Sequence, residues 1–217
     1  MGRVPAPVPP EARERVAALL AAARDDGRRR LLGIVGGPGA GKSSLASRLG
    51  RGHGGDPASV AVVGMDGWHL AGSTLERLGR VARKGAPDTF DAAGYVAFLG
   101  RVRAARGETV WAPEFRREIE EPVAGALEVA PTVSLLITEG NYLLLDEPPW
   151  DHVRELLDEV WFLAPDERHR RARLISRHEK HGRTHDEAVA RADGSDADNA
   201  RLIAATADRA DVVLRTV

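Results

Sequence analysis

Apolar positions along the chain fall into two rhythms. The short runs Leu31-Leu32-Gly33-Ile34-Val35, Val60 to Gly64, Val133 to Thr138, Glu159 to Leu163 and Asp211 to Arg215 predict buried strands. Between them, apolar residues return every three or four positions. Val16, Leu19, Leu20 and Ala23 predict a leading helix over 11–25, closed by Gly27. Further helical patterns run from Lys42 to Leu49, from Ser73 to Arg83 and from Ala92 to Arg106, the last two separated by Gly85-Ala86-Pro87-Asp88. About 45 arginine-rich residues of helical pattern lie between the last two strands. Strands alternating with helices predict an α/β fold whose parallel sheet is covered on both faces. In such sheets ligands gather at the carboxyl ends of the strands, so chemistry is expected there.

A length of 217 residues fits one domain with an appended lid. No internal repeat interrupts that picture. The 31 basic and 32 acidic residues nearly cancel, so no global field draws nucleic acid or membrane, and any anion site must be local. The absence of cysteine excludes disulfides, thiolate ligands and cysteine nucleophiles and suits a reducing cytoplasm. Residues 1–10, rich in proline, predict a flexible leader without the features of a secretory signal, and no apolar run reaches the roughly 18 residues of a membrane span.

The segment Gly36-Gly37-Pro38-Gly39-Ala40-Gly41-Lys42-Ser43 satisfies G-x-x-x-x-G-K-[ST] between a predicted strand and a predicted helix. Glycines let backbone N–H groups turn inward around phosphate oxygens, and the following helix adds its positive end. Gly37, Gly39, Ala40, Gly41 and Ser44 are thus expected at a nucleotide. Lys42 is expected at its terminal phosphates and the Ser43 hydroxyl on a magnesium ion. The motif predicts ATP or GTP together with Mg2+.

Two further strands end on acids. Glu139 follows Leu135-Leu136-Ile137-Thr138 and is placed for a metal or for substrate, with Asn141 and Tyr142 shaping the turn beyond and Tyr142 a candidate substrate contact. Asp66, in the stretch Gly64-Met65-Asp66-Gly67-Trp68-His69, is either a turn residue of an Asp-Gly pair or a general base near the transferring phosphate. Its position beside a phosphate loop favours the base, with Gly67 letting the chain bend. His69 is a candidate substrate contact, and Trp68, Trp111 and Phe115 are candidate pocket walls or core. In the arginine-rich segment, Arg170, Arg173 and Arg177 share a helix face while Arg168 and Arg171 point elsewhere. Arg173 and Arg177 are selected as nucleotide contacts in a lid over about 166–193, with Asn199 a weaker candidate near the base.

The phosphate loop together with GMDGWHL, KGAPDTFD, WAPEFRREIEEPV, TEGNYLLLD and DADNARLI, in that order, resembles the phosphoribulokinase, uridine kinase and bacterial pantothenate kinase superfamily over roughly residues 31–213. The resemblance implies a P-loop NTPase three-layer fold with a five-stranded parallel core and an arginine-bearing helical lid. It implies transfer of the γ-phosphate of ATP to a hydroxyl of a small-molecule acceptor: a nucleoside, a sugar or a pantothenate-like compound. By position, Asp66 matches the catalytic base, Glu139 the acid near magnesium, Lys42 and Arg173 catalytic cations, and Arg117 an arginine that meets substrate or phosphate. Many relatives read Phe-Asp-Arg where this chain reads Phe115-Arg116-Arg117, an exchange that either loses a hydroxyl contact or favours a more anionic substrate. The two arginines equally suit a solvated helix face beside Glu118, Glu120 and Glu121. Relatives often form dimers or tetramers, which leaves a homodimer open.

Two other functions share the phosphate loop. A guanine-nucleotide switch needs Asn-Lys-x-Asp, and neither Asn141 nor Asn199 is followed by lysine. A regulator without catalysis would not need Lys42, Ser43, Asp66 and Glu139 together.

Overall fold

The computed structural model describes residues 8–52 and 56–216. Five strands form one parallel sheet: β1 (Arg30–Val35), β2 (Val60–Gly64), β5 (Leu135–Gly140), β6 (Glu159–Pro165) and β7 (Val212–Thr216), in the order β2-β5-β1-β6-β7. Side chains alternate across a strand, so each strand supplies two cores. Leu32 and Ile34 of β1 and Leu135 and Ile137 of β5 pack with α1 (Pro10–Asp26) and α2 (Lys42–Arg51) on one face. Leu31, Val35 and Leu136 turn the other way, toward Tyr95, Phe98 and Leu99 of α4 (Ala92–Ala104) and Val153 of α5 (Asp151–Glu155). This is the three-layer α/β arrangement expected from the run pattern.

Several boundaries differ from expectation. The leader was expected over 1–10; residues 1–7 lie outside the described residues, and Pro10 already opens α1. The helix expected over 73–83 is a short α3 (Gly72–Arg77) followed by a separate turn at Val81–Arg83. β5 runs two residues past its apolar stretch because both neighbours keep pairing: Glu139 is in register with Ile34 and with Gly64. The acid is therefore held by backbone pairing on two sides.

The largest difference is an antiparallel hairpin, β3 (Val110–Arg116) and β4 (Glu121–Val129), where the sequence suggested a helix face for Arg116 and Arg117. Arg116 is on the exposed side of β3 and pairs with Glu114 at 3.5 Å. After β6 come α6 (Glu167–Lys180), α7 (His185–Asp193) and α8 (Ser195–Ala204). No helix among the described residues is long and apolar enough to cross a membrane.

Candidate active site

The strand order sets β2, β5 and β1 side by side, so the segments leaving their carboxyl ends start within about 10 Å of one another. They carry Asp66, Glu139 with Asn141, and the phosphate loop, and these line one cavity of about 650 Å³. α6 packs onto the loop: a Cβ on Gly39 would stand 2.7 Å from Leu174 Cγ and 2.9 Å from the Arg170 carbonyl. Gly39 and Gly41 also take φ of +78° and +95°, a region other residues rarely enter.

Inside the cavity, Lys42 is buried and its Nζ donates to the Gly36 carbonyl at 2.8 Å, the Gly37 carbonyl at 3.2 Å and Asn141 Oδ1 at 2.7 Å. Burial lowers its pKa, opposed by the charges of Glu139 and Asp66. The Ser43 hydroxyl donates to Glu139 Oε1 at 2.6 Å. Burial raises the Glu139 pKa, opposed chiefly by Lys42. A glycine-rich loop at a helix N-terminus, a buried ammonium, and a hydroxyl and carboxylate in contact form a set suited to a triphosphate and its divalent ion. Among the described residues no group of three or more His, Cys, Asp or Glu comes together to hold a metal, so oxygens from outside the protein, of phosphate or water, would complete its coordination.

Asp66 sits in the turn Met65–Trp68 that ends β2. Its Oδ2 accepts from an Arg117 guanidinium nitrogen at 3.3 Å, and both side chains are about half exposed to the cavity. Gly67 has a different purpose from the one expected. Any Cβ there would collide with the Pro113 carbonyl, so the glycine lets β3 lie directly against the turn. The His69 ring packs against Phe90, with centroids 4.0 Å apart, and Phe115, at 4.8 Å. Its Nδ1 lies 2.8 Å from the Asp66 carbonyl; a carbonyl has no proton to give, so Nδ1 is the donor. Burial lowers the His69 pKa and keeps the ring neutral near neutral pH.

Other selected residues are placed differently. Trp68 is core, against Tyr95 and Phe98, and Trp111 is exposed; Phe115 alone of the three walls the cavity. Tyr142 is fully buried and donates its hydroxyl to the Gly85 carbonyl, so it supports the cavity from beneath rather than lining it. Ser44 is exposed in the first turn of α2, off the cavity lining. The inward face of α6 is as expected, with Arg168 and Arg171 exposed, but its members divide. Arg177 lines the cavity and Arg173 does not, while Arg170 is buried and donates to the Pro38 carbonyl of the loop at 2.7 Å. Asn199 reaches the cavity, its Nδ2 3.5 Å from the Gly85 carbonyl. Arg116, which stands where many relatives carry an acid, is not among the residues lining the cavity.

Sequence reasoning missed the contacts of Arg170 and Asn141 and the inward placement of Lys84. Arg170 had a signal in its shared face with Arg177. The other two gave none, because their neighbours come from strands and loops far along the chain.

No family model matches the chain. A Schizosaccharomyces pombe protein named provisionally as a uridine kinase is 34% identical over 196 residues, which span 87% of this chain and 83% of that protein. The pantothenate kinase of Enterococcus faecalis is 28% identical over 63% of this chain and 45% of its own length. Among solved structures, a Silicibacter sp. TM1040 kinase assigned provisionally to a fructose transport system is 37% identical, with a TM-score of 0.80 over 92% of this chain and 98% of that one.

Proposed function

The chain belongs to the P-loop kinases of the uridine kinase and pantothenate kinase type, and on that premise we propose that it transfers the γ-phosphate of ATP to a hydroxyl of a nucleoside or related ribosyl or sugar compound, with Asp66 as general base. The observation that carries this reading is the meeting of Asp66 with Lys42, Ser43 and Glu139 in one cavity. A carboxylate there suits a hydroxyl aimed at the terminal phosphate: the hydroxyl proton passes to it as the acceptor oxygen bonds to the γ-phosphorus, and the bond from that phosphorus to the β–γ bridging oxygen breaks to release ADP. The similarity to a kinase assigned to fructose transport supports keeping sugars among the acceptors.

The residues then divide the work. Lys42 and Arg177 offset charge on the phosphates being separated, and water is kept out when α6 and α7 close over them as a lid spanning about 166–193. Ser43 and Glu139 would hold a magnesium ion, whose chemistry is to neutralise phosphate charge. His69 and Phe115 border the acceptor, and Arg117 steadies the Asp66 carboxylate. The reading is of a single kinase domain working in the cytoplasm.

The test is ADP release from ATP and Mg2+ across nucleosides, sugars and pantothenate. Asp66→Asn should lower kcat by about 10²- to 10⁴-fold while nucleotide binding persists. Near wild-type turnover by that variant would mean another base, and release with none of these acceptors would remove the kinase assignment.

A further inference from the structure

The last turn of α6 gives the cavity wall two successive residues, Arg177 and His178. Burial lowers the Arg177 pKa, and the charges around it conflict: Arg117 and Arg191 oppose its charge, while Asp196 and Asp66 support it. Charge alone therefore gives this long side chain no single place. The place has to come from the backbone that carries it.

That backbone is held on both sides of position 177. Three positions earlier, Leu174 is packed on Gly39 of the phosphate loop. One position later, His178 Nε2 donates to Asp196 Oδ2 at 2.7 Å, and the two side chains are only 12% and 11% exposed. Asp196 belongs to the first turn of α8, where the positive end of the helix favours an acid. α8 is itself fixed: Ile203 is in the core, and a Cβ on Gly37 would stand 3.3 Å from Ala200 Cβ, so the helix rests on the same phosphate loop. The end of α6 is closed as well. The Gly182 N–H donates to the Glu179 carbonyl at 3.0 Å and the Arg183 N–H to the His178 carbonyl at 3.2 Å, with Gly182 at φ +87°. His181 Nδ1 donates to the Arg177 carbonyl at 2.6 Å. Successive residues stand about 100° apart around a helix, so His178 can face α8 while Arg177 stays directed at the cavity.

We propose that His178 and Asp196 are a positioning pair: their hydrogen bond ties the last turn of α6 to α8, and so to the phosphate loop, and sets the Arg177 guanidinium over the phosphates during transfer. This rests on the kinase reading above. Neither member of the pair takes or gives a proton in the reaction. Their whole effect runs through Arg177.

A double-mutant cycle tests it. Arg177→Gln should lower kcat by about 100-fold, and His178→Ala or Asp196→Ala by about tenfold. In the Arg177→Gln background His178→Ala should cost less than about twofold, because nothing is left for it to position. His178→Gln, whose amide can reach Asp196 from nearly the same point, should recover most of the loss. Arg171→Ala breaks the exposed pair with Asp193, another tie between α6 and its neighbours, and should change kcat by less than about twofold. The same cycle is run without an acceptor, as calorimetric affinity for a non-hydrolysable ATP analogue with Mg2+. Coupling of His178 to Arg177 in either readout supports the pair. Penalties that simply add in both readouts would overturn it, as would a loss in Arg171→Ala equal to that in His178→Ala, and ADP release by the wild type would leave the kinase reading standing. Coupling in affinity without turnover of any acceptor keeps the pair and removes the kinase reading. Should His178→Ala fail to fold, Asp196→Asn, which weakens the bond without emptying the site, takes its place in the cycle.

Discussion

The Lys42 ammonium donates a 2.7 Å hydrogen bond to Asn141 Oδ1, joining the phosphate loop to the turn after β5 across 99 positions of chain. With the Gly36 and Gly37 carbonyls, Asn141 takes up all three protons of the ammonium. To reach a phosphate, Lys42 has to give up at least one of these partners. The side-chain amide is the one that can rotate away.

Asn141→Asp should therefore weaken nucleotide binding. A carboxylate would hold Lys42 through a charge-assisted bond about twice as strong and would add negative charge beside the phosphates. The expected loss of ATP affinity is about tenfold or more, near 1.4 kcal/mol. Asn141→Ala should instead cost ~1–3 kcal/mol of stability and change ATP affinity little. Calorimetric titration with denaturant unfolding separates the effects; equal affinity loss in both variants would reduce Asn141 to a support of the loop.

His69 predicts a pH dependence whose sign follows from burial. The folded pKa lies below the ordinary 6.5, so as pH falls through 6.5 the unfolded chain takes up a proton that the folded chain resists. Stability falls from there until pH passes the lowered folded value, below which the penalty is complete. Above 6.5 both states are neutral and His69 contributes no slope. Melting midpoints of the wild type and His69→Asn, compared between about pH 7.5 and 5, should diverge at the acid end, with the wild type falling faster. Parallel curves would show that this ring is not the source.

Gly67→Ala tests the contact between the Asp66 turn and the hairpin. The added methyl meets the Pro113 carbonyl, so either the hairpin retreats or the turn rotates, and Asp66 and Arg117 separate. A stability loss of ~1–3 kcal/mol is expected, with kcat falling more than the KM for ATP rises. Gly100→Ala on α4, where nothing stands within 4 Å, is the control and should stabilise by about 0.4–1 kcal/mol. If the two behave alike, the close approach at Gly67 carries no strain.

These residues also show how far the sequence could be followed. The five parallel strands and the loop from Gly36 to Ser43 were legible because each writes its signal locally: an apolar run, then glycines, then a helical period. Glu139 and Asp66 were legible once two strands ended on acids. The hairpin was not. Pro113 interrupts β3, a bulge between Ala112 and Glu114 breaks the alternation, and the turn is made by Glu120 at φ +53° without an Asn-Gly signal. Losing the hairpin hid why position 67 must be glycine and how Arg117 comes to face Asp66. Tyr142 was misread for a similar reason, since its partner Gly85 lies in a separate loop.

The lid arginines give the last prediction. Sequence spacing puts Arg170, Arg173 and Arg177 on one face but ranks none of them, because rank depends on what the face meets. It meets the phosphate loop at Arg170, whose side chain is 7% exposed and bridges Glu167 of its own helix to the Pro38 carbonyl. Arg170→Ala removes that bridge and leaves the carbonyl without its charged donor, so the loop loses its fixed shape before nucleotide arrives. The KM for ATP should rise about tenfold and stability fall by ~1.5–3 kcal/mol, the range for hydrogen bonds to charged groups. Arg168→Ala removes an exposed charge from the other side of the same helix and should change stability by less than ~0.5 kcal/mol. Steady-state kinetics with thermal unfolding on both variants decides it: equal effects would mean that α6 acts through its overall charge and not through the contact with Pro38.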